Sequence, residues 1–249
     1  MFTKVKTPDE ITNIRVSGRI IASVFEFLKG QVKVGVTTKH LADLAKQEIH
    51  KLGGETVLLG YEGFPDVICI SINDEVVHGI PGSRVLENGD LISFDLCVGY
   101  KGMIADSAFT MIVGEGTGAK RRLLKGTEDA LEAGIRVLRD GVRTGDVGAA
   151  VEKVMTRYGF GIVRDLVGHG VGHEVHEGPD IPNYGFAGTG KVLSEGMTIC
   201  IEPMSTLGGD NVIMGRDGWT VSTRDGSLSA QFEHTLLITR DSAEILTVL

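Results

Sequence analysis

At 249 residues, the chain is long enough for one large domain or two small ones. Its 42% hydrophobic and 23% charged residues are ordinary for a soluble globular protein that buries a sizeable core. The formal net charge of −8 argues against a nonspecific nucleic-acid binder and against a protein held on an anionic membrane.

Helix signals begin close to the start of the chain. Thr7, Pro8 and Glu10 predict the cap, the first position and the capping-box residue of a helix that ends near Gly30. A second helix is predicted over about 38–52 and strands over about 56–113. Helices return over about 119–140 and 145–158, and strands follow to the end. A basic cluster at 120–125 falls on the third helix, where a solvated face is the simplest interpretation.

The order of two helices and then strands therefore occurs twice, and short sequence matches accompany it. The GVxT motif at 35–38 recurs at 141–144, and VLENGDLISFD at 85–95 resembles VLSEGMTICIE at 192–202. HGIP at 78–81 likewise resembles HEGP at 176–179. We expect one catalytic domain, residues 1–249, built from two related halves at about 7–113 and about 119–240, with a site between them.

The segment VGHGVGHEVHEGP, residues 167–179, concentrates three histidines. It is not the H-E-x-x-H helix of zinc proteases, because Glu177 and not a histidine lies four residues after His173. Alternating glycines disfavour a helix, at about 1 kcal/mol each relative to alanine, and favour an extended segment. On a strand, His169 and His173 would share a face and His176 would point the other way. We therefore expect the three histidines not to form one local site.

Two carboxylates occupy equivalent places in the two halves. Asp95 and Glu202 each end an apolar strand, where a charge is costly unless it is paired or binds a cation. If Tyr100 and Lys101 are the central pair of a hairpin turn, Asp95 faces Asp106, with Cβ atoms about 4.5–5.5 Å apart. Two such carboxylates repel each other unless they bridge metal ions.

Glu233 follows a strong turn signal at 224–227, which places it on the next strand. It completes a candidate cluster of four carboxylates, to which His169 or His176 adds an imidazole. Such ligands suit Mn²⁺, Fe²⁺, Co²⁺ or Zn²⁺. We expect His173 to be structural or at the surface. The three cysteines, odd in number and far apart, predict small buried hydrophobes and no disulfide framework.

These residues resemble the methionine aminopeptidases. Asp95, Asp106 eleven residues later, GHG at 168–170, IEPM at 201–204 and SAQFEHT at 229–235 match that family in order along essentially the whole chain, in its bacterial type I form. The resemblance implies the α/β pita-bread fold, a curved antiparallel sheet backed by helices in two pseudo-symmetric halves. It also implies removal of the N-terminal methionine from nascent proteins and peptides whose second residue is small.

The resemblance assigns roles to the cluster. It implies two divalent ions (Co, Mn, Fe, Zn or Ni) that activate a bridging water or hydroxide. Asp106 and Glu233 would bridge the ions, and Glu202 would also act as general base. The five implied metal ligands are Asp95, Asp106, His169, Glu202 and Glu233.

The same resemblance implies the substrate contacts. His176 would donate to the substrate carbonyl or its tetrahedral intermediate, and His78 would contact the scissile amide. Two residues depart from the family. Val175 stands where the family often has a bulkier residue, and Leu58 stands where a cysteine can occur. Either change could alter the methionine pocket. The implied pocket residues are Tyr61, Phe64, Cys69 and Trp219.

Two other functions stay open. An Xaa-Pro aminopeptidase or dipeptidase shares the fold and the ligands, and HEVHEGP suits that family; those enzymes usually carry a further N-terminal domain, whereas helix signals here begin at Thr7. A metal-free binding module of this fold should have lost ligands, and all five are present.

With no signal sequence and no apolar run of about 18 residues, we expect a cytoplasmic monomer outside the membrane. Its substrates would be nascent chains, with transient ribosome docking and no nucleic-acid specificity.

Overall fold

The computed structural model describes residues 5–249, and four α-helices lie within them. The N-terminal signal of the first helix is the one predicted, since Thr7 and Glu10 form a complete capping box. The third helix ends at Arg136, four residues before the predicted end, because the chain turns there and buries Leu138 in the core. The helices are α1 (Pro8–Lys29), α2 (Thr38–Lys51), α3 (Gly118–Arg136) and α4 (Thr144–Tyr158).

Fifteen strands and a short 3₁₀ helix, Tyr61–Gly63, make up the rest of the regular structure in residues 5–249. The strands are β1 (Glu55–Thr56), β2 (Cys69–Ile72), β3 (Glu75–Val77), β4 (Leu91–Tyr100), β5 (Met103–Ile112), β6 (Gly161–Ile162), β7 (Gly168–Gly170), β8 (Glu177–Ile181), β9 (Thr198–Ile201), β10 (Met204–Thr206), β11 (Val212–Met214), β12 (Val221–Thr223), β13 (Ser229–Gln231), β14 (His234–Ile238) and β15 (Ala243–Ile245).

Two larger antiparallel sheets organise the fold. In the first, β4 pairs with β1, β2 and β5; the second has the order β15-β14-β9-β7-β8. Helices α1 and α2 bury residues such as Ile14 and Leu41 with Phe94 of the first sheet. Helices α3 and α4 bury Leu131 and Val151 with the second. Each sheet thus packs one helix pair on one face and leaves the other face for a site.

The β4–β5 hairpin has a different register from the predicted one. Tyr100 pairs with Met103, so Lys101 and Gly102 form the turn, both with positive φ (49° and 75°). Such a two-residue turn matches the twist of the strands. The prediction that Asp95 faces Asp106 is therefore wrong by two residues. Because side chains alternate with a period of two, both carboxylates still point to the same face, as diagonal neighbours.

The two sheets meet where β5 lies beside the residues preceding β14. Ala108 and Glu233 form an isolated antiparallel bridge. The Thr235 hydroxyl accepts from the Asp106 backbone N–H at 2.8 Å and lies 2.7 Å from its carbonyl. This contact brings carboxylates of both halves together.

The repeated motifs make the same backbone hydrogen bonds. The N–H of Leu86 donates to the carbonyl of Val36 at 2.8 Å, and the N–H of Leu193 donates to that of Val142 at the same distance. These are the residues that the sequence matches pair with one another. Among residues 5–249, no helix combines the length and the apolar character that a membrane span needs.

The Glu10→Gln variant should lose stability at neutral pH and not in strong acid. Hydrogen bonds from the Thr7 backbone and then from His173 lower the pKa of Glu10 to about 2. Because this lies below the unfolded value of about 4.3, the carboxylate stabilises the fold above pH 4.3, and that contribution is lost as pH falls through 2. The glutamine side chain can still cap the helix, and the partial exposure of residue 10 screens the lost charge. We therefore expect the free energy of unfolding to fall by about 1 kcal/mol, which lowers the thermal unfolding midpoint by about 2–4 °C at pH 7. Thermal unfolding from pH 2 to 8 tests this, and a difference independent of pH would contradict it.

Candidate metal centre

The four predicted carboxylates and His169 converge on the inner face of the sheets. His169 Nε2 lies 3.6 Å from Glu202 Oε1 and 4.0 Å from Asp106 Oδ2. Ligand atoms of Asp106, His169 and Glu233 lie within 4.8 Å of one another. Glu202 follows β9 directly, and Glu233 lies between β13 and β14 instead of inside a strand as predicted.

Gln231 was not among the site residues predicted from the sequence. Its side chain lies between the carboxylates of Asp95 and Glu202, which occupy equivalent places in the sequence repeat. Its Nε2 lies 3.4 Å from Asp95 Oδ2 and 3.4 Å from Glu202 Oε2. Gln231 precedes Glu233 by two residues in SAQFEHT. That spacing on an extended segment puts both side chains on one face, and it is the signal that could have identified Gln231.

Burial and mutual repulsion dominate the electrostatics of the cluster. Burial, and next the charge of Asp106, raise the pKa of Asp95 and of Glu233 well above their usual values. Burial and next the charge of Asp95 do the same for Glu202. Within residues 5–249, Asp106 Oδ1 and Glu233 Oε1 are buried without a hydrogen-bond partner. Buried acceptors without donors are costly, and a bound cation would satisfy them.

The His169 ring is held in its neutral form. Its Nδ1 lies 2.9 Å from the carbonyl of Gly170, to which it donates, so Nε2 is the free acceptor on the side of Asp106 and Glu202. Burial lowers the pKa of His169, which favours this neutral form. An acceptor nitrogen among carboxylate oxygens is a donor set that fits a divalent cation.

Cys200 also lies within ligand distance of this group. Its sulfur lies 3.6 Å from the Thr235 hydroxyl, and burial raises its pKa well above the usual value. Cys200 packs as a small buried side chain beside Thr235. Carboxylates with one imidazole are the donors that suit a divalent cation of this kind.

The histidine-rich segment is extended only in part. Strand β7 ends at Gly170, and the chain turns back through 171–176 into β8. The His169 and His176 rings consequently meet edge to face, with centroids 4.4 Å apart, so the prediction that they face opposite ways is wrong. The His173 side chain points away from these two rings, and its Nε2 lies 2.8 Å from Glu10 Oε1. This contact fits the structural role predicted for His173. A turn of this kind depends on backbone angles that strand periodicity does not contain, such as φ of 145° at Gly172.

A cavity of about 160 Å³ opens beside the carboxylates, and its lining includes the residues that the sequence predicts for a methionine pocket. The Phe64 and Trp219 rings meet edge to face at 5.2 Å. The Tyr61 hydroxyl lies 3.1 Å from His176 Nδ1. Cys97, two residues after Asp95 on the same strand face, also lines the cavity, which the sequence did not predict. The other predicted lining residues are Leu58, Cys69, His78 and Val175.

His78 reaches the cavity from a left-handed backbone position. Its φ is 58°, which is uncommon for a residue other than glycine. Gly79 follows it closely against β2, since an added Cβ would lie 2.3 Å from the Ile70 carbonyl oxygen. Burial lowers the pKa of His78, so the ring faces the cavity in its neutral form. Strained positions that the surrounding structure enforces are typical of functional sites.

Residues 12–240 match the model of metallopeptidase family M24. The chain belongs to this family. Methionine aminopeptidase 1 of Bacillus subtilis is 43% identical over 242 residues, which cover 97% of this chain and 98% of that protein. The solved methionine aminopeptidase of Thermotoga maritima superposes with a TM-score of 0.98 at 41% identity and 100% coverage of both chains. As an M24 metallopeptidase the chain is a hydrolase that binds divalent metal.

The rival family is a more distant match. The Xaa-Pro dipeptidase of Bacillus anthracis has a TM-score of 0.79 and 22% identity, over 98% of this chain and 61% of that protein. This likeness shows a common fold. The predictions of a pita-bread fold and of similarity to the methionine aminopeptidases are confirmed.

Mn²⁺ should stabilise the wild-type protein and leave the Glu233→Gln variant unchanged. A ligand at 100 times its Kd adds about 2.7 kcal/mol, which corresponds to a midpoint about 5–10 °C higher for a chain of this size. Without metal, Glu233→Gln should be at least as stable as wild type, because it removes one of the buried like charges. Calorimetry with and without Mn²⁺ tests this, with the exposed Glu128→Gln as matched control. Equal stabilisation of wild type and Glu233→Gln would contradict the metal centre.

Proposed function

We propose that this enzyme removes the N-terminal methionine from peptides and nascent proteins whose second residue is small. One observation carries the proposal: the carboxylate cluster and His169 line the same cavity as apolar and aromatic side chains. A hydrolytic centre beside a small apolar pocket suits cleavage of the peptide bond next to a single apolar side chain. The methionine aminopeptidases among its similar proteins support the same substrate.

The cavity walls suit a thioether side chain. Phe64, Trp219 and Tyr61 offer ring edges and faces, with which sulfur makes favourable contacts. Leu58 and Val175, where this chain departs from the family, lie in the same apolar group. They define the part of the pocket that would distinguish this enzyme from its relatives.

Two divalent ions, from among Co, Mn, Fe, Zn and Ni, would be held by the cluster. When bound, such ions lower the pKa of water and polarise the substrate carbonyl. The two buried acceptors without donors, Asp106 Oδ1 and Glu233 Oε1, support the proposal that these residues would help to hold the ions. The five proposed ligands are Asp95, Asp106, His169, Glu202 and Glu233.

Glu202 would hold the proton during the reaction. Burial and the neighbouring charges of Asp95 and Asp106 raise its pKa and make it a better proton acceptor. Gln231 keeps the carboxylate oriented through Oε2, while Oε1 faces His169. As general base, Glu202 would take the proton of the attacking water and deliver it to the leaving amine.

His176 would donate to the substrate carbonyl as charge develops on its oxygen. When the Tyr61 hydroxyl donates to Nδ1, the N–H at Nε2 is left for the substrate. His78, on the other side beside Trp219, would contact the scissile amide. The neutral form that burial favours for His78 suits a hydrogen bond to an amide.

The setting of the enzyme is part of the proposal. We place it in the cytoplasm as a monomer that meets nascent chains during transient docking at the ribosome. We also propose that residues 1–249 form one domain of two related halves. The equivalent hydrogen bonds of Leu86 and Leu193 support the second statement.

The peptides Met-Gly-Met-Met, Leu-Gly-Met-Met and Ala-Pro-Met separate the candidate functions. With added Mn²⁺ or Co²⁺ we expect cleavage of the methionyl peptide only, because its side chain fills the Tyr61–Trp219 cavity. In metal-free buffer no peptide should be cleaved. Preferred cleavage of Ala-Pro-Met would instead favour an Xaa-Pro peptidase, and no cleavage with any metal would favour a binding module.

The Asp95→Ala and Glu202→Gln variants should lose turnover and remain folded. Loss of a general base typically costs about 10²–10⁴-fold in rate. Neither change removes apolar core, so circular dichroism should match wild type. Initial rates with Met-Gly-Met-Met and Mn²⁺ test this, again with Glu128→Gln as control. Wild-type activity in either variant would contradict the proposed two-metal site.

A further inference from the structure

A buried lysine of the N-terminal segment reaches the loop that carries His176. Lys6 is 3% exposed, and its Nζ lies 2.9 Å from Glu177 Oε2. Its backbone N–H donates to the Gly196 carbonyl at 2.8 Å, which anchors the segment on the body of the protein. Residues 6 and 177 are far apart in sequence, so this pair exists only in the folded chain.

The other oxygen of Glu177 holds the loop itself. Glu177 Oε1 accepts the backbone N–H of His173 at 2.7 Å and that of Glu174 at 3.3 Å. Glu177 directly follows His176 and starts β8, where it pairs with Gly170. Its carboxylate therefore closes the turn that brings His176 back beside His169.

The Lys6 side chain also packs on the loop. A Cβ added at Gly172 would lie 2.4 Å from Lys6 Cε and 3.0 Å from Nζ. The lysine stem thus lies on the Cα of Gly172, whose carbonyl accepts the Ile104 N–H at 2.7 Å. Both ends of the loop, at Gly172 and at Glu177, contact the same side chain.

His173 extends this network to the first helix. Its Nδ1 lies 3.4 Å from Lys6 Nζ, and its Nε2 lies 2.8 Å from Glu10 Oε1 in the α1 capping box. The side chain of Glu177 is 4% exposed and that of Lys6 is 0% exposed. Removing one member of such a buried pair leaves the other charge uncompensated, which is strongly unfavourable.

We propose that Lys6 is a positioning residue for catalysis: by pairing with Glu177, it holds the 171–177 loop in the shape that places His176 at the cavity. The inference rests on the role of His176 in the proposed function. Lys6 is not among the residues that line the cavity. Its effect passes through Glu177 and the loop backbone.

A double-mutant cycle with Met-Gly-Met-Met and Mn²⁺ tests the route. Lys6→Met keeps the apolar stem and removes the charge, and we expect kcat to fall about 10–100-fold with little change in KM, as for a misplaced catalytic group. In a His176→Ala background the same change should have no further effect on kcat, because the group that it positions is gone. The exposed Lys46→Met on α2 is the matched control.

The outcomes of the cycle are distinct. Equal losses from Lys6→Met with and without His176 would overturn the inference and leave the proposed function intact. Wild-type kcat in His176→Ala alone would overturn the proposed role of His176 and the inference with it. If Lys6→Met does not fold, the double variant Lys6→Met with Glu177→Gln, which leaves no buried charge unpaired, carries the same cycle.

Hydrogen exchange in the metal-free protein gives a readout independent of turnover. The amides of His173 and Glu174 should exchange at least about 10-fold faster in Lys6→Met, since their acceptor is no longer held. Peptides from α4 should exchange as in wild type. Unchanged exchange over 171–177 would overturn the inference.

Discussion

The crowding of four buried or half-buried carboxylates around one point is the constraint on which the rest of the site depends. In an apolar interior, each charge raises the cost of the others, and the raised pKa values of Asp95, Glu202 and Glu233 express that cost. Hydrogen bonds offset little of it, since two buried oxygens have no donor in residues 5–249. A divalent cation offsets it directly, which explains why a metallopeptidase can retain so unfavourable an arrangement.

The fold supplies this arrangement from both halves of the chain. Asp95 and Asp106 come from one hairpin, whereas Glu202 directly follows β9 and Glu233 directly precedes β14 of the other sheet, and the Ala108–Glu233 bridge joins the two groups. The helix pairs pack on the opposite faces, so the site is built on strands held from behind. Rigid strands suit a centre in which small displacements change the rate greatly.

The loops around the centre supply the other side chains that border the cavity. The 171–176 turn brings His176 against His169, and the left-handed position of His78 brings a second imidazole to the cavity. The aromatic rings of Tyr61 and Trp219 complete an apolar wall of the cavity. The N-terminal segment belongs to this machinery through Lys6, which lies against the turn and not in the site.

The sequence by itself predicted the helices, the five ligand-type residues and the family, because capping signals, periodicity and motif spacing are local properties. Tertiary structure decided the rest. The hairpin register depended on which two residues adopt positive φ, and a shift of two left the carboxylates on one face. The meeting of His169 with His176, the place of Gln231 between Asp95 and Glu202, and the Lys6–Glu177 pair arise from turns and from contacts between distant segments. No local pattern encodes such contacts, because they depend on turn geometry and on segments that are distant in sequence and meet only in the folded chain.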